Sequence, residues 1–407
     1  MRAALDLLRR NPDYRRLFVA ELVTSGGDWF ALIPLLALLL DLTGSGLYGG
    51  LVLGADTAVF ALLSPYAGTL ADRLDRRRLI VLSEASCVVL ALLLLLVGPG
   101  TAWVSLVAVS GIAAAKCLAT PAASAATPNL VTPADLALAN VMNGVAWGSM
   151  LAVGAALGGL ATAAFGSDVC FLLDAASFAG SALLVARCRT PFQQHGVLAE
   201  HPPFGHAVRE ALAYARSHAE VLALLFAKPG VGFANGALVL FPALAKDVFG
   251  WGDAGLGLLY AARGLGALLG PLLLGRRGRD GAALWWLLAG CIGSCGLLYV
   301  GVAVAPVFGV ALVLIAAAHL GGGANWTVST YGLQKLVPDR VRGRISSADF
   351  MLVTLAIAVN QVAAGLLSEA FGTRVLVGAF GAASVVYALG WLAGTRSLRQ
   401  NPTPAGA

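Results

Sequence analysis

The sequence predicts an all-α membrane protein, with twelve transmembrane helices in two six-helix bundles related by pseudo-twofold symmetry. Three observations carry that expectation. Of 407 residues, 58% are hydrophobic and mean hydropathy is +0.82, above the roughly 45–50% apolar content of soluble domains, so most of the chain must be solvated by lipid. Apolar stretches of about 20 residues, the length that crosses a hydrocarbon core, recur near 17–41, 47–70, 79–98, 102–125, 139–163, 168–187, 220–245, 253–274, 282–303, 306–331, 346–369 and 373–394. The chain also resembles itself. Leu130-Val131, closely followed by Pro133, returns as Leu336-Val337-Pro338, and Gly159-Leu160…Ala164-Phe165-Gly166 returns as Gly365-Leu366…Ala370-Phe371-Gly372, both at an offset of 206. A duplicated six-helix unit with its axis along the membrane normal follows: residues 1–187 form the first bundle, 188–219 a linker, and 220–407 the second bundle with a short tail.

The charges follow the same topology. Only 12% of residues are charged, with a net formal charge of +6. Of 27 Lys and Arg, 22 lie in the amino terminus, the loops after even-numbered spans or the carboxyl terminus; the other five are Lys116, Lys228 and Arg263 inside spans and Lys246 and Arg374 in the opposite loops. Basic loops are retained on the cytoplasmic side of a membrane, so both termini are expected there. Because charge is distributed by loop, nucleic acid is excluded as a partner and the lipid bilayer is the expected one. The run after Arg16 has full span length, so no cleavable leader is expected and the first span is its own targeting signal.

Along the chain, the densest charge lies between the second and third spans, at Gly68-Thr-Leu-Ala-Asp72-Arg73-Leu-Asp75-Arg76-Arg77-Arg78. In the fifth span, Gly154 and Gly158 form a small-x-x-x-small face on which two helices can approach closely. Residues 188–219 read as a linker ending in a surface-lying amphipathic helix, from Phe204, Val208, Ala211, Leu212 and Ala215 at helical spacing. His195, His201, His206 and His218 share this region without regular spacing or acidic company, so no metal site is expected. Cys87, Cys117, Cys170, Cys188, Cys291 and Cys295 are scattered without C-x-x-C spacing and read as small packing residues. Lys228-Pro229-Gly230 should loosen the seventh span, and the tail from Asn401 is expected to be disordered.

Ionisable groups inside spans are the sharpest functional signal, because each costs about 2.5–3.5 kcal/mol on insertion scales and needs a cavity or a partner. At 1.5 Å rise per residue, Asp28 lies about 17 Å into the first span and Asp56 about 14 Å into the second, from opposite sides, so both approach the midplane. Glu21 precedes Asp28 by two turns on nearly the same face. Glu84 and Lys116, in the third and fourth spans, are expected to pair. The second half reverses the sign, with Lys228, Arg263 and His319. Asp28, then Asp56, then Glu21 are the candidate proton carriers; the competing reading of Asp28 is a static ion pair with Arg263.

The pattern G-x-x-x-D-R-x-x-R-R of the charged loop resembles the loop between helices 2 and 3 of major facilitator superfamily transporters. Asn11-Pro12-Asp13-Tyr14-Arg15-Arg16-Leu17-Phe18, Ser25-Gly26-Gly27-Asp28, Pro121…Pro128-Asn-Leu-Val131 with Asp135-Leu136-x-x-Ala139-Asn140, Asp174-Ala-Ala-Ser177-Phe178, and Val337-Pro338-Asp339-x-x-Arg342-Gly343-Arg344 are similar to the drug:proton antiporter-3 branch. That branch includes macrolide efflux proteins and enterobactin exporters. The fifth span departs from the wider antiporter pattern, lacking a Gly-Pro before its glycine pair. The resemblance implies a conformational gate formed by Gly68, Asp72, Arg73, Arg76 and Arg77, with Asp72 meeting the start of the eleventh span at Arg344.

It further implies that spans 1, 4, 7 and 10 line a substrate cavity, to which Trp29, Phe233, Asn235, Arg263, His319, Asn325, Trp326 and Tyr331 belong, with Asn143, Trp147 and Gln361 adding contacts. Aromatic faces with a few amides suit a bulky amphipathic ligand. The expected function is therefore export of an amphipathic small molecule, a drug, siderophore or other secreted metabolite, from a bacterial cytoplasmic membrane by a monomer that uses the proton gradient and no cofactor. An importer or uncoupled facilitator is the alternative within transporters. No H-E-x-x-H, P-loop or G-x-S-x-G loop supports a polytopic enzyme.

Overall fold

The computed structural model describes residues 2–193, 213–274 and 281–400. A short helix α1 (Arg2–Arg10) precedes α2 (Pro12–Thr43), α3 (Leu47–Arg73), α4 (Arg76–Leu93), α5 (Val104–Leu130), α6 (Leu136–Phe165) and α7 (Ser167–Ala186). Then follow α8 (Ala219–Val248), α9 (Gly252–Leu274), α10 (Gly281–Ala303), α11 (Phe308–Leu336), α12 (Asp339–Leu367), α13 (Thr373–Gly394) and the short α14 (Arg396–Gln400). Twelve helices among the described residues, α2 to α13, are long and apolar enough to cross a membrane, in agreement with the twelve apolar stretches. The duplication is visible in their boundaries: α5 ends at Leu130 and α11 at Leu336, α7 begins at Ser167 and α13 at Thr373, each pair 206 apart. Of the linker helix expected from Phe204 to Ala215, only the end is described, and residues 213–217 are helical; its earlier part, three of the four linker histidines, Arg276, Arg277 and the tail from Asn401 lie outside the described residues.

Local chemistry sets the helix ends. Pro12 opens α2, where its missing N–H is no loss, and Gly44, at φ 64°, closes it in the left-handed conformation with its N–H on Leu40 O. Asp75 caps α4 by accepting from Arg78 N at 2.8 Å.

Contacts divide the chain into two units, Met1–Gly44 with Leu62–His201 and Gly252–Ala261, and Ser45–Ala61 with Pro202–Trp251 and Ala262–Ala407. In the first, α4 shows how a membrane helix is sorted: Leu79, Ile80, Ser83, Glu84, Cys87 and Ala91 are buried, whereas Leu82, Val89 and Leu92 are exposed on the lipid side. The small-residue face of α6 meets α2 as expected. A β-carbon at Gly154 would lie 2.6 Å from Gly26 O, and one at Gly158 would lie 2.9 Å from Phe30 Cα.

The Asn11-Pro12-Asp13-Tyr14 segment is a clamp within this unit. Asp13 Oδ2 accepts from Arg189 N at 3.0 Å, Thr190 N at 2.8 Å and Thr190 Oγ1 at 2.7 Å, while Oδ1 accepts from Arg16. Tyr14 donates towards Ala139 O. The chain leaving α7 is thus tied to the start of α2, and Cys188 and Phe192 are buried beside it. Asp13→Ala leaves two backbone N–H groups without their acceptor, and we expect a loss of about 1–3 kcal/mol, measured by thermal unfolding; Asp13→Asn, which keeps an acceptor oxygen, should lose less.

In the second unit, α8 is almost wholly buried and is broken where the sequence says it should be. The Pro229 ring conflicts with the carbonyl four residues earlier, that of Leu225, and the first helical segment ends there, with Phe226 at φ −92° and ψ 4°. Neighbouring helices supply donors to the carbonyls around the break. Trp391 Nε1 donates to Ala223 O at 3.0 Å, Tyr387 to Phe226 O at 2.7 Å, Asn325 to Ala227 O at 3.5 Å and Ser384 to Gly230 O at 2.8 Å. Irregular backbone at membrane depth persists only where protein satisfies it in this way. Beyond Asn235 the helix tightens to a 3-10 turn over Gly236–Leu240 and widens to a π turn over Leu244–Val248.

Candidate functional site

Five ionisable side chains converge inside the first unit from four helices: Glu21 and Asp28 of α2, Glu84 of α4, Lys116 of α5 and Asp174 of α7. Lys116 Nζ forms an ion pair with Asp28 Oδ2 and lies 5.8 Å from the Phe178 ring centroid. The charges of Asp174 and Glu21 also act on Lys116. Asp174 reaches α2 beside Asp28 because residue 27 has no side chain: a β-carbon there would stand 2.5 Å from Asp174 Oδ1 and 3.2 Å from Ser177 Cβ. Ser177 donates to Asp174 at 3.4 Å, and Ser181 to Glu84. One ammonium thus serves Asp28, Asp174 and Glu21, with Glu84 beside the last two, in surroundings that penalise uncompensated charge.

The expected Glu84–Lys116 pair is corrected by this arrangement, in which Lys116 pairs with Asp28. Lys116 extends from α5 to the glycine-lined surface of α2, where Asp28 is its nearest carboxylate. Lys228 likewise finds a carboxylate within its own unit. Its ammonium pairs with Asp349 Oδ2, donates to Thr330 Oγ1 at 2.9 Å and lies 5.1 Å from the Trp326 ring; the Lys228 and Asp349 residues are 3% and 5% exposed. Asp349 and Asp174 are intramembrane acids that do not stand among the ionisable groups singled out from the sequence. Asp174 was visible as the acidic residue of a D-x-x-S turn inside the sixth span, and Asp349 lay too near the expected start of the eleventh, at 346, to stand out.

Asp56 is half-buried in the second unit with no hydrogen-bond or ion-pair partner among the described residues. One residue on, Thr57 donates to Gln361 Oε1 at 3.2 Å. Several residues expected in a substrate cavity have structural occupations. His319 Nε2 is 2.9 Å from Tyr299 OH in a buried contact, with the charge of Arg263 acting on it. Asn325 serves the α8 break, Asn235 donates to Val231 O of its own helix at 2.9 Å, and Phe233 packs on Tyr387 at 5.3 Å. Asn143 Oδ1 lies 3.4 Å from Tyr14 OH. Trp147, Trp326 and Tyr331 are exposed, and Trp29 stacks obliquely on Tyr260.

Of the gate residues, Gly68 and Asp72 fall on the last turns of α3, and the Asp72 side chain lies outside the described residues. Arg73 ends that helix exposed, and Arg344 lies in the first two turns of α12. Arg76 donates to Ala125 O at 2.9 Å and Phe192 O at 3.4 Å, and Arg77 to Cys188 O at 2.5 Å; both hold the ends of α5 and α7 against α4. All six cysteines are buried and free. Burial, then the neighbouring Asp13 charge, pushes the Cys188 thiol up to about 11, so it stays protonated and packs as an apolar group.

The comparisons with known proteins agree with this architecture. Residues 6–401 match the family described as transmembrane secretion effector. The uncharacterized MFS-type transporter YfiS of Bacillus subtilis is 25% identical over 401 residues, covering 90% of this chain and 89% of that protein. The enterobactin exporter EntS of Shigella flexneri is 25% identical over 374 residues, covering 84% and 82%. Among solved structures, a bacterial homolog of the human lysosomal transporter Spinster, inward-facing and unoccupied, superposes with a TM-score of 0.77 at 16% identity over 97% of this chain and 99% of that one. A twelve-helix architecture, charged side chains paired within the membrane and a family match over nearly the whole length lead to one conclusion: the chain belongs to the transmembrane secretion effector family of major facilitator superfamily transporters.

Proposed function

We propose that this membrane transporter exports an amphipathic small molecule by proton-coupled alternating access, with Asp28 as the coupling carboxylate. The observation that carries the reading is the Asp28–Lys116 ion pair within membrane-spanning helices. A proton arriving on Asp28 cancels its charge, and the pair loses its Coulombic hold. Lys116 is then drawn to the other carboxylates, so one protonation changes the contacts between α2 and α5. Such a difference in interaction between two states is what an ion must supply to drive a conformational cycle. Trp29, Trp147, Trp326 and Tyr331 are the aromatic surfaces we assign to substrate contact. The similarity to enterobactin exporters supports the outward direction.

On this reading both termini are cytoplasmic, the chain lies in a bacterial inner membrane, and the monomer works without a cofactor. The test is substrate-dependent proton release from energised inside-out vesicles, comparing the native chain with Asp28→Asn across cationic, anionic and neutral amphipathic compounds. We expect at least one compound to collapse the pH gradient with native protein and the variant to fall to the level of empty vesicles. Transport without proton movement, or a variant equal to native, overturns the coupling assignment and favours a facilitator or coupling through Asp56.

A further inference from the structure

The Asp28–Lys116 pair leaves Glu21, Glu84 and Asp174 of the same cluster without a task, and of these Glu84 and Asp174 are the buried ones. Glu84 and Asp174 are 7% and 3% exposed. They belong to neighbouring helices, α4 and α7, and each carboxyl group has a serine hydroxyl donor, Ser181 for Glu84 and Ser177 for Asp174. The Asp174 charge acts on Glu84. Glu84 Oε2 is fully enclosed and has no hydrogen-bond partner among the described residues. An enclosed carboxylate oxygen with no donor is costly as an anion, whereas a carboxylic acid is far cheaper to bury.

The other groups that face Glu84 define what it can hold. From α2 comes Glu21, from α7 Asp174, and from its own helix Cys87. Lys116, the cation of the cluster, acts on Glu21 and Asp174 and is committed to Asp28. Among the described residues, no group of three or more His, Cys, Asp or Glu is placed to hold a metal ion. A proton needs only the carboxyl oxygens themselves to balance the charge. Gly27 completes the geometry by letting the Asp174 carboxyl group rest on α2 next to Asp28, which puts both acids within electrostatic reach of the same ammonium.

We propose that Glu84 and Asp174 form a second proton-binding site, and that Lys116 exchanges its ion pair between Asp28 and Asp174. The exchange balances. With Lys116 on ionised Asp28, Glu84 and Asp174 are both neutral. When Asp28 gains a proton, Lys116 turns to Asp174, which ionises and gives up its proton, while Glu84 stays neutral and donates to the new carboxylate. One proton enters at Asp28 and one leaves from Asp174 to water, so net charge is unchanged and the α4–α7 contact holds one proton fewer. This inference rests on the reading of Asp28 as the coupling carboxylate, but its test needs no substrate.

The experiment is infrared difference spectroscopy of the purified full-length protein between neutral and strongly alkaline pH, reading the carbonyl stretch of protonated carboxyl groups. Native protein should show such a band at neutral pH. Glu84→Gln and Asp174→Asn should each remove one carboxyl's share of it. Asp28→Asn, which mimics protonated Asp28, should remove the Asp174 share as well, because Lys116 has moved. Ser181→Ala, which removes one hydroxyl donor, should shift the Glu84 component in frequency and serves if Glu84→Gln does not fold. An unchanged band in Glu84→Gln and Asp174→Asn overturns the proposal, as does the absence of any band in native protein. Loss of the band on adding sodium chloride in place of N-methylglucamine chloride assigns the site to a monovalent cation and also overturns it. A band that behaves as expected while Asp28→Asn still transports protons would sink only the coupling role of Asp28.

Discussion

Asp349→Leu, with Lys228 left in place, will destabilise the second unit by about 3–5 kcal/mol, the usual cost of stranding one member of a buried ion pair. The Lys228 ammonium would keep Thr330 Oγ1 and the Trp326 ring as partners, neither of which carries a compensating charge. Lys228→Met should cost a comparable amount, since Asp349 Oδ1 already has no hydrogen-bond partner among the described residues and would be joined by a second bare oxygen. The double variant, Lys228→Met with Asp349→Leu, should recover most of the loss, because two apolar side chains of similar volume carry no desolvation penalty. Thermal unfolding of the four proteins in one detergent closes the cycle. Single variants within about 1 kcal/mol of native would show that water reaches the pair and that its burial does not govern stability.

The second large effect lies at the contact of α2 and α6. Gly158→Leu places a side chain where the nearest atoms are backbone atoms of Phe30, with the built β-carbon already 2.9 Å from Phe30 Cα. Backbone cannot swing aside as a side-chain end can, so the two helices must separate. Overpacking typically costs about 1–3 kcal/mol, and here the helix that must move, α2, carries Asp28 two residues from Phe30. Gly144→Leu is the control on the same helix, because no heavy atom lies within 4 Å of its built β-carbon. We expect Gly158→Leu to lower Tm and abolish transport while Gly144→Leu changes neither appreciably; equal behaviour of the two would refute a close-packed α2–α6 contact.

Gly27 makes the contrast from the side of the site. The atoms a β-carbon would meet there are the ends of the Ser177 and Asp174 side chains, which can rotate away. A methyl group at that position would disturb the placement of a carboxyl group more than the packing of helices, and the difference follows from which atoms stand in the way.

Much of the architecture was legible from residues read in order, because the signals that specify it are local. A run of about 20 apolar residues is a span wherever it ends up in the bundle, and all twelve were read this way. The break in α8 was equally local: a proline ring collides with a carbonyl on its own chain four residues back. Gly154 and Gly158 announced a close helix contact through spacing alone. The inward and lipid-facing stripes of α4 were not legible, since both are largely apolar and only the neighbours of each residue distinguish them.

By itself, then, the sequence determined the number of helices, their approximate ends, the duplication and the set of ionisable side chains that a membrane must accommodate. Only the tertiary structure decided which of those charges meet. Lys228 and Asp349 are 121 residues apart in the chain, and Lys116 had three carboxyl groups within reach, Asp28, Asp174 and Glu21. Hydropathy and spacing act along the chain, whereas an ion pair depends on distances across it, and at low dielectric a few ångströms separate a neutralised charge from a costly one.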